Sequence, residues 1–347
     1  MIIDPRASSH AIERNKPSFW NALQDFFFRP SGSQTLAVIR ILTGLMIAYI
    51  HLIWMIDLEA FMGPNALIDN STWRSLHQNQ VADAKWTYLA VTESMTLIWL
   101  HEILAFVAGI LLALGFMSRG MCVLAWFLTL MTAHRMTGFL FGLDQVTIML
   151  AMYLCLARSG SLWSLDACLV HRYSDFFSGR KWLQRGMGIS AARCHADSLC
   201  WTNTFATRLI QLHLCVIYLF GGLGKMRGEM WWDGTAMWYS VASYEYQSLP
   251  MTWTGNFPFW ASIATHITVF WELSYCCLVW PRWTRPWVLG IALLVHGGIA
   301  LFLGMITFGW MMIVANLAFV PPDSISLLCT GPGTRRVRAT GHHSEAK

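Results

Sequence analysis

The segment LIQLHLCVIYLFGGLGKMRGEMWWDGTAMWY, residues 209–239, joins a long apolar run to a lysine at its end. Together with the residues just before it, the run is long enough to cross a hydrocarbon core of roughly 30 Å, because a helix of about 20 residues suffices. Lys225 stands where the run ends, and Trp231 and Trp232 follow with rings of the kind that collect at membrane interfaces. The segment therefore predicts a membrane helix with a basic group at its boundary.

Composition extends this prediction to the whole chain. Of its 347 residues, 55% are hydrophobic and 12% are charged, whereas an average soluble domain has about 25% charged residues. The net charge of +5 does not indicate nucleic-acid binding, because the basic residues are dispersed among loops instead of lining one face. We therefore expect an integral membrane protein whose partner is the lipid bilayer and not nucleic acid.

Eight apolar windows are candidates for membrane spans. They cover 36–56, 98–116, 121–140, 144–157, 205–224, 260–280, 287–304 and 305–320. The fourth window is short, and the last two could form one hairpin or one long bent helix, so the count is open by one. The pattern predicts an all-α polytopic transmembrane helical bundle in which residues 36–320 form a single membrane domain.

The distribution of Lys and Arg predicts how this bundle is oriented, because cytoplasmic loops are enriched in them. With eight spans and an inner N-terminus, the inner segments carry 17 of these residues and the outer segments carry four. Both termini are therefore expected to face the cytoplasm, and Lys225 is expected to face outward. The predicted location is a multi-pass cell membrane, with a bacterial inner membrane favoured because the chain lacks room for a lumenal domain.

The two ends of the chain are predicted to lie outside the bundle. Residues 1–35 contain the stretch PSFWNALQDFFF, 17–28, which reads as an interfacial amphipathic helix in a cytoplasmic segment. Residues 321–347 begin with two prolines and end in the basic string GTRRVRATGHHSEAK, which predicts a disordered cytoplasmic tail. Cys194, His195 and Cys200 resemble a fragment of a metal site, but their spacing matches no zinc pattern, and no metal is expected.

Ionisable and polar residues within the spans are candidate functional groups, because a charged one costs about 2.5–3.5 kcal/mol on insertion scales. They are Arg40, Glu102, His134, Arg135, Asp144, Gln145, Arg208, Gln211, His213, His266, Glu272, His296 and Asn316. The helical rise of about 1.5 Å per residue puts one set of these residues in the outer half of the membrane and two near its middle. The outer set is His134, Asp144, Lys225, His266 and Glu102, the middle pair is Glu272 and His296, and together they could line one cavity open to the outer side. In that cavity, partial desolvation would favour the neutral amine of Lys225, which is a base.

Each of these residues also has a purely structural interpretation, which the sequence leaves open. Lys225 could be a snorkelling lysine that caps a helix end, and His134 with Arg135 could be interfacial polar residues. Asp144 could only cap its own helix, since an acidic side chain satisfies the free amides of the first turn.

Two further pairs have structural alternatives of the same kind. Glu272 and His296 could form an interhelical hydrogen-bonded pair that fixes the bundle. Arg40 and Arg208 are best explained as structural groups that pair with neighbouring carbonyls or carboxylates.

Several strings in the chain carry a family resemblance. They are IYLFGGLGKMRGEMWWDGTAMWY (217–239), AHRMTGFLFGLDQVTIMLAMYLCLA (133–157), WSLDA (163–167), FWELSY (270–275), LLVHGGIALFLGM (293–305) and LAVIRILTGLMIAYIHL (36–52). Together they resemble the HTTM domain, the membrane core shared by vitamin K-dependent gamma-carboxylase and many bacterial relatives. The resemblance covers roughly residues 18–320.

The resemblance implies a specific chemistry. Lys225, which follows a Gly-Leu pair, matches the base that acts on reduced vitamin K or a menaquinone-type hydroquinone, and His134 matches an assisting histidine. The implied reaction deprotonates the hydroquinone, adds oxygen, and uses the resulting alkoxide to remove a proton from a glutamate γ carbon for attack on CO2. The residues expected to bind this cofactor are Arg135, Asp144, Trp232, Glu272 and His296.

One departure leaves the acceptor open. The carboxylase has a large extramembrane C-terminal region that binds its substrates, whereas about 27 residues follow the last predicted span here. The acceptor could be a secreted peptide or another molecule. Two other classes remain as alternatives: a transporter in which Lys225, His134, Glu272 and His296 form a proton pathway, and a non-catalytic membrane partner or immunity-type protein.

Overall fold

The structure is a computed structural model that describes residues 18–77, 85–178, 180–188, 199–246 and 248–330. Its helices are α1 Phe19–Phe28, α2 Gln34–Ile56, α3 Leu58–Met62, α4 Asn70–His77, α5 Met95–Leu114, α6 Ser118–Arg135, α7 Gly142–Leu154, α8 Leu165–Arg172, α9 Ser174–Ser178, α10 Lys181–Met187, α11 Trp201–Lys225, α12 Glu229–Trp232, α13 Ala236–Ala242, α14 Pro258–Leu278, α15 Arg285–Phe302, α16 Ile306–Asn316 and α17 Pro322–Thr330. Short 3₁₀ turns cover Tyr88–Ala90, Ser159–Ser161, Thr252–Asn256 and Leu317–Phe319. Within the described ranges there is no strand, which confirms the predicted all-α class.

Four of these helices are long and apolar enough to cross a membrane: α2, α5, α11 and α15. Gly142–Leu154 and Ile306–Phe319 are shorter apolar helices. Helices α6 and α14 coincide with the two remaining predicted windows. α6 ends at Arg135 instead of continuing to residue 140, because the chain turns at Gly138 with a φ of 98°, a conformation that glycine adopts readily.

Helices α2 and α5 pack with their backbones in direct contact. A Cβ atom added to Gly44 would lie 2.6 Å from the Ala113 nitrogen and 2.8 Å from the Gly109 carbonyl oxygen. A Cβ atom added to Gly109 would lie 2.8 Å from the Ala48 nitrogen. Two turns away from this contact, toward the end of α2 and the start of α5, His51 of α2 lies against Glu102 of α5.

Helix α7 contacts helices from both halves of the chain. It packs on α2, α6, α11 and α16, while α11 packs on α14 and α15 packs on α16. One large apolar cluster, which includes Leu150, Leu214 and Tyr275, joins these helices.

Arg40 and Arg208 have the structural roles that the sequence favours. The buried guanidinium of Arg40 donates to the carbonyls of Ser159 at 2.7 Å and Trp163 at 2.6 Å. Arg208 donates to the Phe26 carbonyl at 3.0 Å and to the Gln211 side-chain oxygen at 2.8 Å. Each guanidinium therefore donates to nearby oxygen atoms, although the buried Nε of Arg40 has no partner among the described residues.

The two ends of the described chain pack onto the bundle. Helix α1 coincides with the predicted helix at 17–28, and Phe28 stacks on Phe205 of α11; its position at a membrane interface stays a prediction. Residues 322–330 fall in the stretch expected to be disordered, but they form α17, which packs on α2. The apolar residues of this stretch explain the difference, since Ile325 is buried.

Candidate functional site

Lys225 is the last residue of α11 and forms an ion pair with Glu272 of α14. Its Nζ atom lies 2.7 Å from Oε2 and 2.9 Å from Oε1, so the amine bridges both carboxylate oxygens. The lysine side chain remains 26% exposed, whereas the glutamate side chain is 10% exposed. The pair therefore has a buried carboxylate and an amine that other molecules can reach.

The glycines that precede Lys225 allow this pair to form. Gly222 faces α14, where an added Cβ would lie 3.0 Å from the Leu273 side chain and 3.2 Å from Glu272 Cβ. At Gly221, an added Cβ would make only ordinary contacts, 3.5 Å from Glu272 Oε2 and 3.9 Å from Lys225 Nζ. Because the helices approach closely at Gly222, the lysine one turn later reaches the carboxylate.

Of the two neighbouring tryptophans, Trp231 contacts the amine. Its ring centroid lies 5.3 Å from Lys225 Nζ, a cation–π distance. Trp232, which was expected to bind the cofactor, donates its indole N–H to the Met226 carbonyl at 2.7 Å. Its own carbonyl accepts from His266 Nε2 at 3.2 Å, so Trp232 holds the loop beside the pair.

His296 belongs to a buried hydrogen-bond network next to this site. Tyr275 donates to Asn316 Oδ1 at 2.7 Å, Asn316 donates to the Tyr218 oxygen at 2.8 Å, and Tyr218 donates to His296 Nε2 at 2.8 Å. Trp271, adjacent to Glu272 in the chain, packs edge-on against the His296 ring. The Nδ1 atom of His296 is buried and has no hydrogen-bond partner among the described residues.

The alternative that Glu272 and His296 bind one another is wrong. Glu272 binds Lys225, and His296 binds Tyr218. What links them is a contact between their neighbours: Trp271 precedes Glu272 in the chain, and its ring centroid lies 4.9 Å from that of Tyr218, which binds His296.

The other three residues expected at the site are held by different parts of the chain. His134 donates from Nδ1 to the Trp86 carbonyl at 2.8 Å, and the buried Arg135 donates to the Ile68 carbonyl at 2.8 Å. Asp144 accepts the N–H of Phe141 at 3.1 Å, as expected of a residue that caps its own helix. Within the described ranges, no hydrogen bond or ion pair joins these three to Lys225, and their participation in its chemistry stays a prediction.

A second polar cluster, on α2, α5 and α6, has Glu102 as its centre. Glu102 Oε2 accepts from His51 Nδ1 at 2.6 Å, and Oε1 accepts from the Thr132 hydroxyl at 3.0 Å. His101 Nε2 lies 2.8 Å from the Thr132 oxygen, and His101 Nδ1 lies 2.5 Å from the hydroxyl of Tyr88. A continuous chain of hydrogen bonds therefore runs from the half-buried Tyr88 to His51 through buried side chains.

The two threonines show which atom donates the proton in each of these hydrogen bonds. Thr132 gives its proton to Glu102, so its oxygen accepts from His101 Nε2–H. Thr129 gives its proton to the Ala125 carbonyl at 2.7 Å, so its oxygen accepts from His51 Nε2–H at 3.1 Å. When Glu102 is ionised, both ring nitrogens of His51 donate, and the ring carries the charge that pairs with the carboxylate.

Sequence reasoning identified Glu102 as an ionisable residue in a span but missed both histidines. The available signal was that His51 and His101 also lie within apolar windows, where ionisable residues are rare and functional. The pairing of His51 with Glu102 depends on the register of α2 against α5. Sequence periodicity does not supply that register.

No metal site is evident in the part of the chain that the structure describes, where no three His, Cys, Asp or Glu side chains are grouped to hold an ion. Cys194 and His195 lie outside the described residues. Cys200 Sγ lies 3.1 Å from the Thr202 hydroxyl.

Comparison with known proteins adds no assignment to this geometry. No family model, no curated protein and no solved structure matches the sequence.

Proposed function

We propose that the chain is a membrane enzyme of the gamma-carboxylase-like kind, in which Lys225 acts as a base toward a reduced quinone of the vitamin K or menaquinone type. One observation carries this proposal: the Lys225 amine is bound by both oxygens of a buried carboxylate and yet remains accessible. A purely structural ion pair needs no such access. The oxygen and CO2 chemistry that follows acts on an acceptor of unknown identity, for which a secreted peptide is one candidate.

The ion pair supplies a route to a neutral amine. Transfer of one proton from Lys225 Nζ to a Glu272 oxygen converts ammonium and carboxylate into amine and carboxylic acid. The amine then takes the proton of a hydroquinone hydroxyl, which leaves the hydroquinone anion beside the re-formed ammonium. A low-dielectric surround favours the neutral pair, because desolvation penalises both charges.

Two neighbouring groups suit the binding of a quinone ring. The ring of Trp231 lies beside Lys225 Nζ and offers an aromatic face against which a quinone can stack. His296 Nδ1 is buried and lacks a partner among the described residues, and a quinone oxygen that reached it would supply one. We assign His134 as the assisting histidine on the resemblance alone.

Replacing Lys225 tests the proposal. In lipid nanodiscs supplied with menaquinol and oxygen, Lys225→Ala is expected to lower the rate of quinol oxidation by about 100-fold or more, because a positioned acid–base group contributes 10²–10⁴-fold. Glu272→Gln is expected to lower it strongly as well, since the amide cannot take the proton. The rate is followed by quinone absorbance and by oxygen uptake.

Arg227→Ala is the matched control for this experiment. Arg227 is an exposed cation two residues beyond Lys225, so its loss changes the local charge without breaking the pair and is expected to preserve the rate. A Lys225→Ala protein that stays folded and oxidises quinol at the wild-type rate would refute the proposal. If that variant instead alters proton uptake into liposomes, the transport alternative takes its place.

We also propose that the eight helices matching the predicted windows all span a cell membrane, with both termini in the cytoplasm. The bias of Lys and Arg toward one set of loops supports this orientation. In bacterial spheroplasts, an epitope inserted after Tyr244, a residue that is 96% exposed, is expected to bind antibody without permeabilisation. The same epitope after Trp283, between α14 and α15, is expected to bind only after permeabilisation, and the reverse pattern would invert the topology.

A further inference from the structure

A cavity of about 260 Å³ lies beside α5 and the 3₁₀ turn Tyr88–Ala90. Its walls are mostly leucine, supplied by Leu89, Leu97, Leu100, Leu104 and Leu128. The side chains of Leu97 and Leu100 are 55% and 60% exposed. Both leucines belong to α5, which is long and apolar enough to cross a membrane.

The polar side chains of this cavity are Tyr88, Thr92 and His101. Tyr88 and His101 are the first two members of the hydrogen-bond chain that ends at His51. Burial, together with the Glu102 carboxylate, raises the pKa of Tyr88, so the phenol keeps its proton at neutral pH. It gives that proton to His101 Nδ1, because His101 Nε2–H is already donated to Thr132.

The Tyr88 oxygen consequently keeps an unused acceptor site, on a residue that lines the cavity. Its proton is committed to His101, and no other hydrogen bond to this oxygen is found among the described residues. A phenolic oxygen can accept a hydrogen bond while it donates one. The hydrogen bond from Tyr88 to His101 makes that oxygen a better acceptor, since bonds in a chain polarise one another.

We propose that this cavity binds a small apolar molecule with a phenolic hydroxyl, which donates its hydrogen bond to the Tyr88 oxygen. The apolar walls hold the ring, and the hydrogen-bonded cluster behind Tyr88 selects for the hydroxyl. This site is separate from the Lys225–Glu272 pair and does not depend on the function proposed for that pair.

The size and chemistry of the cavity favour a substituted phenol over other membrane-soluble molecules. A leucine- and phenylalanine-lined cavity of about 150 Å³ admits benzene, so about 260 Å³ accommodates one ring with a short alkyl group. Within the described ranges, no Lys or Arg side chain lines the cavity, which leaves a phosphate headgroup without a partner. A phenol is also a stronger hydrogen-bond donor than an aliphatic alcohol, and the site presents an acceptor.

A pair of matched probes tests this assignment on the full chain in nanodiscs. The probes are 4-propylphenol and 4-propylanisole, which differ in whether the oxygen carries a proton. Binding is measured by saturation-transfer NMR and by equilibrium dialysis against empty nanodiscs, which corrects for partition into lipid. We expect the phenol to bind about tenfold more tightly than the anisole, and equal affinities would overturn the proposal.

Three variants locate the binding. Tyr88→Phe is expected to remove the preference for the phenol while anisole binding persists, and Leu100→Trp is expected to fill the cavity and abolish binding of both probes. Tyr153→Phe is the matched control, because Tyr153 makes a Tyr–His hydrogen bond of the same kind to His213, at 2.9 Å, away from the cavity. It is expected to bind both probes as the wild type does.

Persistence of the phenol preference in Tyr88→Phe, or of binding in Leu100→Trp, would overturn the proposal. Retained anisole binding reports that the Tyr88→Phe protein is folded at the site. If that variant does not fold, the wild-type comparison of the two probes and the Leu100→Trp result still decide the question.

Discussion

Replacing Glu102 with alanine is expected to destabilise the protein by about 3 kcal/mol or more, because removing one partner of a buried ion pair costs about 3–5 kcal/mol. Glu102 is completely buried and accepts hydrogen bonds from His51 and Thr132. Without it, the charged ring of His51 loses its counter-charge in an apolar interior. Single hydrogen bonds between membrane helices average only about 0.6 kcal/mol, so the unpaired charge dominates the effect. The measurement is reversible unfolding in mixed micelles.

Two comparisons isolate the cause of this destabilisation. Glu93→Ala removes an exposed carboxylate near the start of α5 and is expected to change the free energy of unfolding by less than about 0.5 kcal/mol. The double variant His51→Leu with Glu102→Leu is expected to be more stable than Glu102→Leu alone, because no unpaired charge remains. A double variant less stable than that single variant would show that hydrogen-bond geometry, and not charge, stabilises the cluster.

Replacing Gly44 with alanine is expected to destabilise the protein by about 2 kcal/mol, as overpacking typically costs about 1–3 kcal/mol. The added methyl group would meet backbone atoms of α5 at 2.6 Å and 2.8 Å, and backbone atoms cannot rotate away as a side chain can. Helices α2 and α5 would have to separate. Because the His51–Glu102 contact lies two turns away, it would weaken as well. The same unfolding measurement reports the effect.

Gly297→Ala is the matched control for this change. Gly297 lies within α15, and an added Cβ there has no neighbouring atom within 4 Å. This substitution is therefore expected to stabilise the protein by up to about 1 kcal/mol, the difference in helix propensity between the two residues. If Gly44→Ala raised stability as Gly297→Ala does, the close contact between α2 and α5 would not exist in the folded protein.

The helices could be predicted from the sequence because their cause is local. Apolar runs such as 36–56 and 205–224 coincide with α2 and α11, since a chain in lipid must satisfy its backbone groups within its own helix. The predicted helix boundaries were less accurate where a turn ends the helix and near the end of the chain. Helix α6 stops at Arg135, and α17 forms where a disordered tail was expected.

The sequence predicted that several candidate site residues line one cavity, and the contacts in the structure support this only in part. It selected Lys225 and Glu272, which bind one another, and His296, which binds Tyr218. It grouped His134 with them, although His134 is held by the loop that carries Trp86. The sequence grouped these residues by depth along their helices, but depth says nothing of direction around the helix.

The sequence by itself determined that this protein is helical, that it has helices able to cross a membrane, and that ionisable groups lie within them. Only the tertiary structure decided which groups meet: Lys225 with Glu272, and His51 with Glu102. Helix formation follows from composition, because every residue of an apolar run contributes the same backbone hydrogen bond. Partner choice depends on register and rotation, since a shift of one residue turns a side chain by about 100° around its helix, and the close packing at glycines such as Gly44 and Gly222 fixes that angle.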